Sequence, residues 1–137
     1  MILNLRVDHK IADIQSMENI SKQIDDLFDE LQEKYSINEY VEISTCNRKE
    51  YYIHNDYISP DDDLLSHENQ SIIIEYGDAS VMHLLRMTSG LESMIVGEDQ
   101  ILGQVKDSKA KATKERHCGK SLDLIFTKAI HVGQVVR

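Results

Sequence analysis

Two short runs of alternating apolar and polar residues, Tyr40-Val41-Glu42-Ile43 and Tyr51-Tyr52-Ile53-His54, flank the polar stretch Ser44-Thr45-Cys46-Asn47-Arg48-Lys49-Glu50. Alternation of this kind marks a strand with one face buried. The pair therefore reads as two strands meeting at a corner, and the rest of the chain has to cover the sheet they belong to. Asn47 suits a turn or a positive φ, which places Cys46 at the end of a strand, just before the corner. Such a position is rigid, backed by a sheet and open on one side, as a nucleophile requires. A thiolate is the reactive form of cysteine, and a nearby cation lowers its pKa from about 8.5. If the backbone is extended, Cys46 and Arg48 share a face. Arg48 then either activates the sulfur or grips a substrate carboxylate with its planar fork. Thr45 and Asn47 add a hydroxyl and an amide to the same corner. The competing reading is that a lone cysteine in a strand is a small buried apolar residue.

The remaining segments supply the other elements. Leu3, Leu5 and Val7 alternate, giving a strand over Ile2 to Val7. Met17, Ile20, Ile24, Leu27, Phe28, Leu31 and Tyr35 recur at helical spacing behind Ser16, a candidate N-cap. The acids Asp25, Asp26, Asp29, Glu30 and Glu33 read as that helix's solvated face. Pro60 opens an acidic stretch compatible with a short helix. Ser71 to Tyr76 is β-branched and reads as a buried strand. The order βαββ(α)β suits an α+β domain with a ferredoxin-like antiparallel sheet, its helices on one face. The rest is helical: one helix from Asp78 through Met87, one from about Asp99 to His117, and a last one striped by Leu122, Phe126, Ala129 and Val136. Gly90 and Gly97 bound an irregular loop between the first two of these.

A chain of 137 residues suggests one domain, long enough to bury about two thirds of its unfolded surface. No run of 18 apolar residues proposes a membrane span, and Met1-Ile2-Leu3-Asn4-Leu5-Arg6 lacks the basic head of a signal peptide. Cys46 and Cys118 stand far apart with no metal or disulfide spacing, so a reducing cytoplasm is the expected compartment. A net charge of −9 argues against a dedicated polyanion surface. The one basic concentration is Lys106, Lys109, Lys111, Lys114, Arg116 and Lys120, which reads equally as a solvated helix face. Neither a G-x-G-x-x-G turn nor a P-loop is present.

Ser44-Thr45-Cys46-Asn47-Arg48-Lys49-Glu50 resembles the signature of the glutamyl-tRNA reductases. The block from His83-Leu84-Leu85-Arg86 to Gly103-Gln104-Val105-Lys106 is similar to the same family's longest signature. The resemblance spans most of the chain. It implies that Cys46 attacks the ester linking glutamate to its tRNA, forming a thioester that hydride from NADPH reduces to glutamate-1-semialdehyde, the entry to tetrapyrrole synthesis. It implies that Arg48 pairs with the substrate carboxylate, and that Thr45, Asn47, Ser93, Glu98, Asp99, Gln100 and Gln104 line the glutamate pocket. His83 matches a histidine that supports activity and could assist proton transfer; on its proposed helix it shares a face with Ala79 and Arg86. Glu50 and Tyr52 fall on Arg48's face of a regular strand, where Glu50 could orient the guanidinium. His9 and Lys10 match the family's opening, whereas Ile11 and Asp13 depart from it. Cys118 matches nothing functional.

In that family the nicotinamide site and the homodimer interface lie in further domains. The expectation is therefore that residues 1–137 are the N-terminal catalytic domain of a longer enzyme, with glutamyl-tRNA as partner and NADPH bound elsewhere. Two other functions stay open. One is a non-catalytic module gripping glutamate or a regulator such as haem, motivated by Ile11 to Met17. The other is a thiol redox sensor at Cys46.

Overall fold

A computed structural model describes residues 1–8, 14–66, 71–90 and 100–136, and these described residues form four strands and four helices. In chain order they are β1 (Ile2–Asp8), α1 (Ile14–Tyr35), β2 (Tyr40–Ser44), β3 (Arg48–His54), β4 (Ile73–Tyr76), α2 (Asp78–Ser89), α3 (Ile101–Lys114) and α4 (Lys120–Val136). The strands make one antiparallel sheet in the order β2-β3-β1-β4. An α+β domain with an antiparallel sheet and C-terminal helices is thus present.

The sheet is covered on both faces, not on one. Leu3, Leu5 and Val7 of β1 and Tyr51 and Ile53 of β3 pack against Met17, Ile20, Ile24, Leu27, Phe28 and Leu31 of α1. On the other face Val41, Ile43 and Tyr52 pack against residues of α2, α3 and α4, among them Leu84, Met87, Val105, Leu122 and Phe126. The period-2 pleat of β3 makes this possible by sending successive side chains to opposite faces. Arg48, Glu50 and Tyr52 go under α2, while Lys49, Tyr51 and Ile53 go under α1. All six are buried.

The described residues differ from the sequence reading at three places. The helix expected after Pro60 is a run of turns. Asp62 carries them, accepting the Leu65 and Ser66 amides on its carbonyl and the Leu64 amide on its carboxylate at 2.8 Å. A short acidic side chain that bonds nearby amides competes with helix formation in this way. The last strand is confined to Ile73–Tyr76 and is half-buried throughout, because it lies at a sheet edge beside β1 alone. Ser16 lies inside α1 rather than capping it.

α2 ends where Gly90 adopts φ 90°, its N–H reaching the carbonyls of Arg86 and Met87. That left-handed cap belongs to glycine. β2, the other edge strand, is shielded by the residues after α3: Tyr40 donates its amide to the His117 carbonyl at 2.7 Å, and their rings stack 3.9 Å apart. Close approach of α4 to α2 rests on Gly133. A Cβ there would stand 2.6 Å from the Thr88 carbonyl oxygen and 2.8 Å from Leu102 Cδ1. Gly133→Ala is expected to lower unfolding free energy in urea titrations by about 1–3 kcal/mol, as overpacking does. An unchanged midpoint would contradict this account of the helix crossing.

Candidate active site

β2 and β3 join through Thr45 to Arg48. Thr45 donates its amide to the Arg48 carbonyl at 2.9 Å, and its hydroxyl accepts the amides of Asn47 and Arg48, both at 3.2 Å. Ser44 pairs with Lys49 in the ladder below. The hydroxyl thus closes a tight hairpin turn whose two central residues are Cys46 and Asn47. Cys46 is exposed, at the apex of the turn. Asn47 does not use a positive φ.

That placement corrects the reading in which Cys46 and Arg48 share a strand face. The backbone is bent at Cys46, so alternation does not carry through it. The thiol borders a groove of about 420 Å³ walled by Met17, Glu18, Ser21, Lys22 and Asp25 of α1, with Thr45 beside it. Arg48 is the first residue of β3 and sends its guanidinium beneath α2. There Nη1 donates to Glu50 Oε2 and to Met87 Sδ, each at 3.1 Å.

Arg48 belongs to a buried polar cluster centred on Glu50, which is fully buried. One carboxylate oxygen accepts from Asn4 Nδ2 at 3.3 Å and from the Tyr52 hydroxyl at 3.1 Å. The other accepts from Arg48. His83 Nε2 lies 3.1 and 3.2 Å from the two oxygens. Arg6 joins through Asn4 Oδ1 at 2.7 Å and pairs with Glu75. Burial alone would push the Glu50 carboxyl up. The positive charge and hydrogen bond of His83, then Arg48 and Arg6, outweigh it and hold the pKa at about 2. The same cluster raises the Tyr52 phenol, through burial first and the Glu50 charge second.

His83 is therefore a buried residue pinned to Glu50. The sequence reading grouped it with Ala79 and Arg86, which are exposed; His83 is buried like Leu84, because the carboxylate on β3 supplies a partner inside the core. Of the other expected residues, Thr45 and Asn47 form the turn. Gln100 is exposed at the entry to α3, with no capping side-chain bond, and Gln104 is half-buried one turn later. Ser93, Glu98 and Asp99 lie outside the described residues, as do His9, Lys10, Ile11, Asp13 and Gly97.

A second charged cluster lies on the α1 face. Lys49 Nζ sits 2.9 Å from Asp25 Oδ1 and also pairs with Glu42, and the Tyr51 hydroxyl donates to Asp25 at 2.5 Å. Burial works against the Lys49 charge, but Glu42 and Asp25 outweigh it and raise the pKa. Asp25 is thus part of the site's floor, not simple solvation. The signal for the groove was present in the sequence: Glu18, Ser21, Lys22 and Asp25 are spaced to share one helix face.

The described β-to-α junction, from β4 to α2, does not fit a dinucleotide. It carries one glycine, Gly77, followed by the carboxylate of Asp78 at the helix start, where a pyrophosphate would need positive or neutral donors. Among the described residues no group of three or more His, Cys, Asp and Glu is placed to hold a metal ion, and no helix is long and apolar enough to cross a membrane.

The site is thus an exposed thiol on a hairpin turn of an α+β domain, with a buried Arg-Glu-His cluster between the strand that follows and α2. Residues 5–137 match the family model described as glutamyl-tRNA(Glu) reductase, N-terminal domain. The chain is 80% identical over 137 residues to a glutamyl-tRNA reductase of Methanobrevibacter smithii, and 47% identical to that of Methanothermobacter marburgensis. It covers 100% of its own length in both, and 34% and 33% of theirs. The solved glutamyl-tRNA reductase of Methanopyrus kandleri superposes with a TM-score of 0.79 at 28% identity, over 99% of this chain and 34% of that one. The chain belongs to the glutamyl-tRNA reductase N-terminal domain family. It spans about a third of the length of the relatives it matches.

The Glu50 cluster predicts an acid-sensitive fold. A carboxyl held at about 2 in the folded state, against an ordinary 4.5, contributes stability above the unfolded pKa and loses it as pH falls through the folded one. The contribution is about 3 kcal/mol. Denaturant titrations are expected to show unfolding free energy dropping between pH 4.5 and 2. Glu50→Gln is expected to flatten that limb while lowering stability at neutral pH. A Glu50→Gln variant with the parental acid limb would contradict this.

Proposed function

We propose that this chain is the catalytic domain of a glutamyl-tRNA reductase, and that Cys46 is the nucleophile that takes glutamate from its tRNA. The observation that carries the reading is the exposed thiol at the apex of a hairpin turn, open to a groove, in a chain of this family. The Cys46 thiolate attacks the ester carbonyl, the carbon–sulfur bond forms and the carbon–oxygen bond to the ribose breaks. The thiol proton ends on the departing hydroxyl. Sulfur suits this step as a strong nucleophile, and its thioester is a better hydride acceptor than the oxygen ester it replaces.

Arg48 supplies the guanidinium for the glutamyl side-chain carboxylate, with Glu50 fixing it at Nη1. His83, held by both Glu50 oxygens, supports the acyl pocket from beneath α2. Thr45 and Asn47 set the turn, and Ser93, Glu98, Asp99, Gln100 and Gln104 complete the glutamate pocket in this reading. Reduction to glutamate-1-semialdehyde falls to NADPH held by a part of the protein beyond these residues. The setting is tetrapyrrole biosynthesis in the cytoplasm, with dimerisation outside this domain. We also read the sheet as ferredoxin-like, on the central position of β1 and β3.

Incubation with tRNA carrying radiolabelled glutamate tests the assignment. The parent is expected to release or bind label, and Cys46→Ser to fall to background. Ester cleavage that survives Cys46→Ser would remove the nucleophile. Glutamate binding without cleavage in the parent would leave a binding module on the same fold.

A further inference from the structure

A thiolate that attacks an ester stands between two halves of its substrate. At the tetrahedral carbon the acyl chain and the leaving oxygen diverge, so each half needs its own subsite flanking the sulfur. In the proposed function, on which this inference rests, the acyl half belongs with Arg48 on the α2 face. The other flank of Cys46 is the groove against α1. Its volume, about 420 Å³, falls in the range of roughly 300–1,000 Å³ typical of small-molecule sites.

The wall of that groove has a chemical character. Glu18 and Lys22 stand one helical turn apart on the same face of α1, and neither makes an ion pair or side-chain hydrogen bond among the described residues. Asp25, the next residue along the face, commits Oδ1 to Lys49 and Tyr51. Ser21 and Met17 line the same groove. An uncommitted carboxylate accepts ribose hydroxyls, as acids do in nucleotide sites. A lysine offers a point charge to a phosphate, and the methionine an adaptable apolar surface for a base.

We propose that the α1 groove binds the leaving half of the ester, the terminal nucleoside of the acceptor RNA, with Glu18 on the ribose hydroxyls and Lys22 on the adjoining phosphate. Recognition of one nucleotide explains how a chain of net charge −9 addresses RNA here: a single lysine in a local groove meets a single phosphate. Glu18 and Lys22 are specificity-determining residues for the leaving group and take no part in the bond exchange at sulfur.

The test separates the leaving half from the acyl half. Lys22→Ala is expected to raise KM for glutamyl-tRNA about fivefold, the scale of an exposed charge contact, with kcat kept and Lys22→Arg restoring the parent value. Cleavage of glutamate α-ethyl ester, which has no nucleoside, is expected to be unchanged. Independently of turnover, AMP is expected to slow alkylation of Cys46 by iodoacetamide in the parent and to do so less in Lys22→Ala and Glu18→Ala. Equal losses on both esters, an unchanged KM for glutamyl-tRNA, or no protection by AMP would each overturn the proposal. Should Cys46→Ser retain ester cleavage, the nucleophile assignment fails, and the AMP protection measurement still decides what the groove binds.

Discussion

A carboxylate with no exposure to water sits at the centre of this domain and is kept ionised by what surrounds it. Glu50 takes hydrogen bonds from Asn4, Tyr52 and Arg48 and contacts His83, so that strands β1 and β3 and helix α2 all converge on one anion. A buried charge is costly unless paired and fully hydrogen-bonded. That requirement makes the cluster demanding of geometry: displacing β3 against α2 would strand a guanidinium, an imidazole or a carboxylate in the core. The start of β3 is thereby fixed, and the turn that carries Cys46 lies immediately before it.

The two faces of the sheet then divide the chemistry. Beneath α2 the cluster buries a guanidinium held by Glu50 and Met87. Beneath α1 a second cluster, Lys49 with Glu42 and Asp25, floors the region next to the open groove. The thiol stands where the sheet ends between them. A thiol at a turn apex keeps its exposure, while the strands on either side, closed by the Thr45 hydroxyl, hold its backbone in place.

Much of the fold was legible because burial leaves a period. Leu3, Leu5 and Val7 announced β1, and the stripe from Met17 to Leu31 announced α1. Gly90 ended α2 as a left-handed cap should. The start of β3 was less legible, since Arg48-Lys49-Glu50 carries three charges and no apolar residue to mark a buried face. These charges are buried only because partners distant in sequence meet them: Asn4 and His83 for Glu50, Asp25 and Glu42 for Lys49. Single-residue pattern carries no trace of such pairings. The same blindness grouped His83 with Ala79 and Arg86, which are exposed, and assigned Asp25 to solvent. The inference that Cys46 and Arg48 share a face failed for a different reason: strand parity was extended across a residue that turns. The family was nevertheless legible from the two signatures, and the family model matches residues 5–137.

The proposed chemistry requires that one sulfur accept the glutamyl group. Peptide mapping by mass spectrometry, after brief reaction with glutamyl-tRNA and acid quench, reads this out without an intermediary. A single glutamyl adduct is expected on the peptide containing Cys46, removed by neutral hydroxylamine as a thioester is. A glutamyl adduct on Cys118 or elsewhere, or complete ester cleavage with Cys46 never modified, would contradict it.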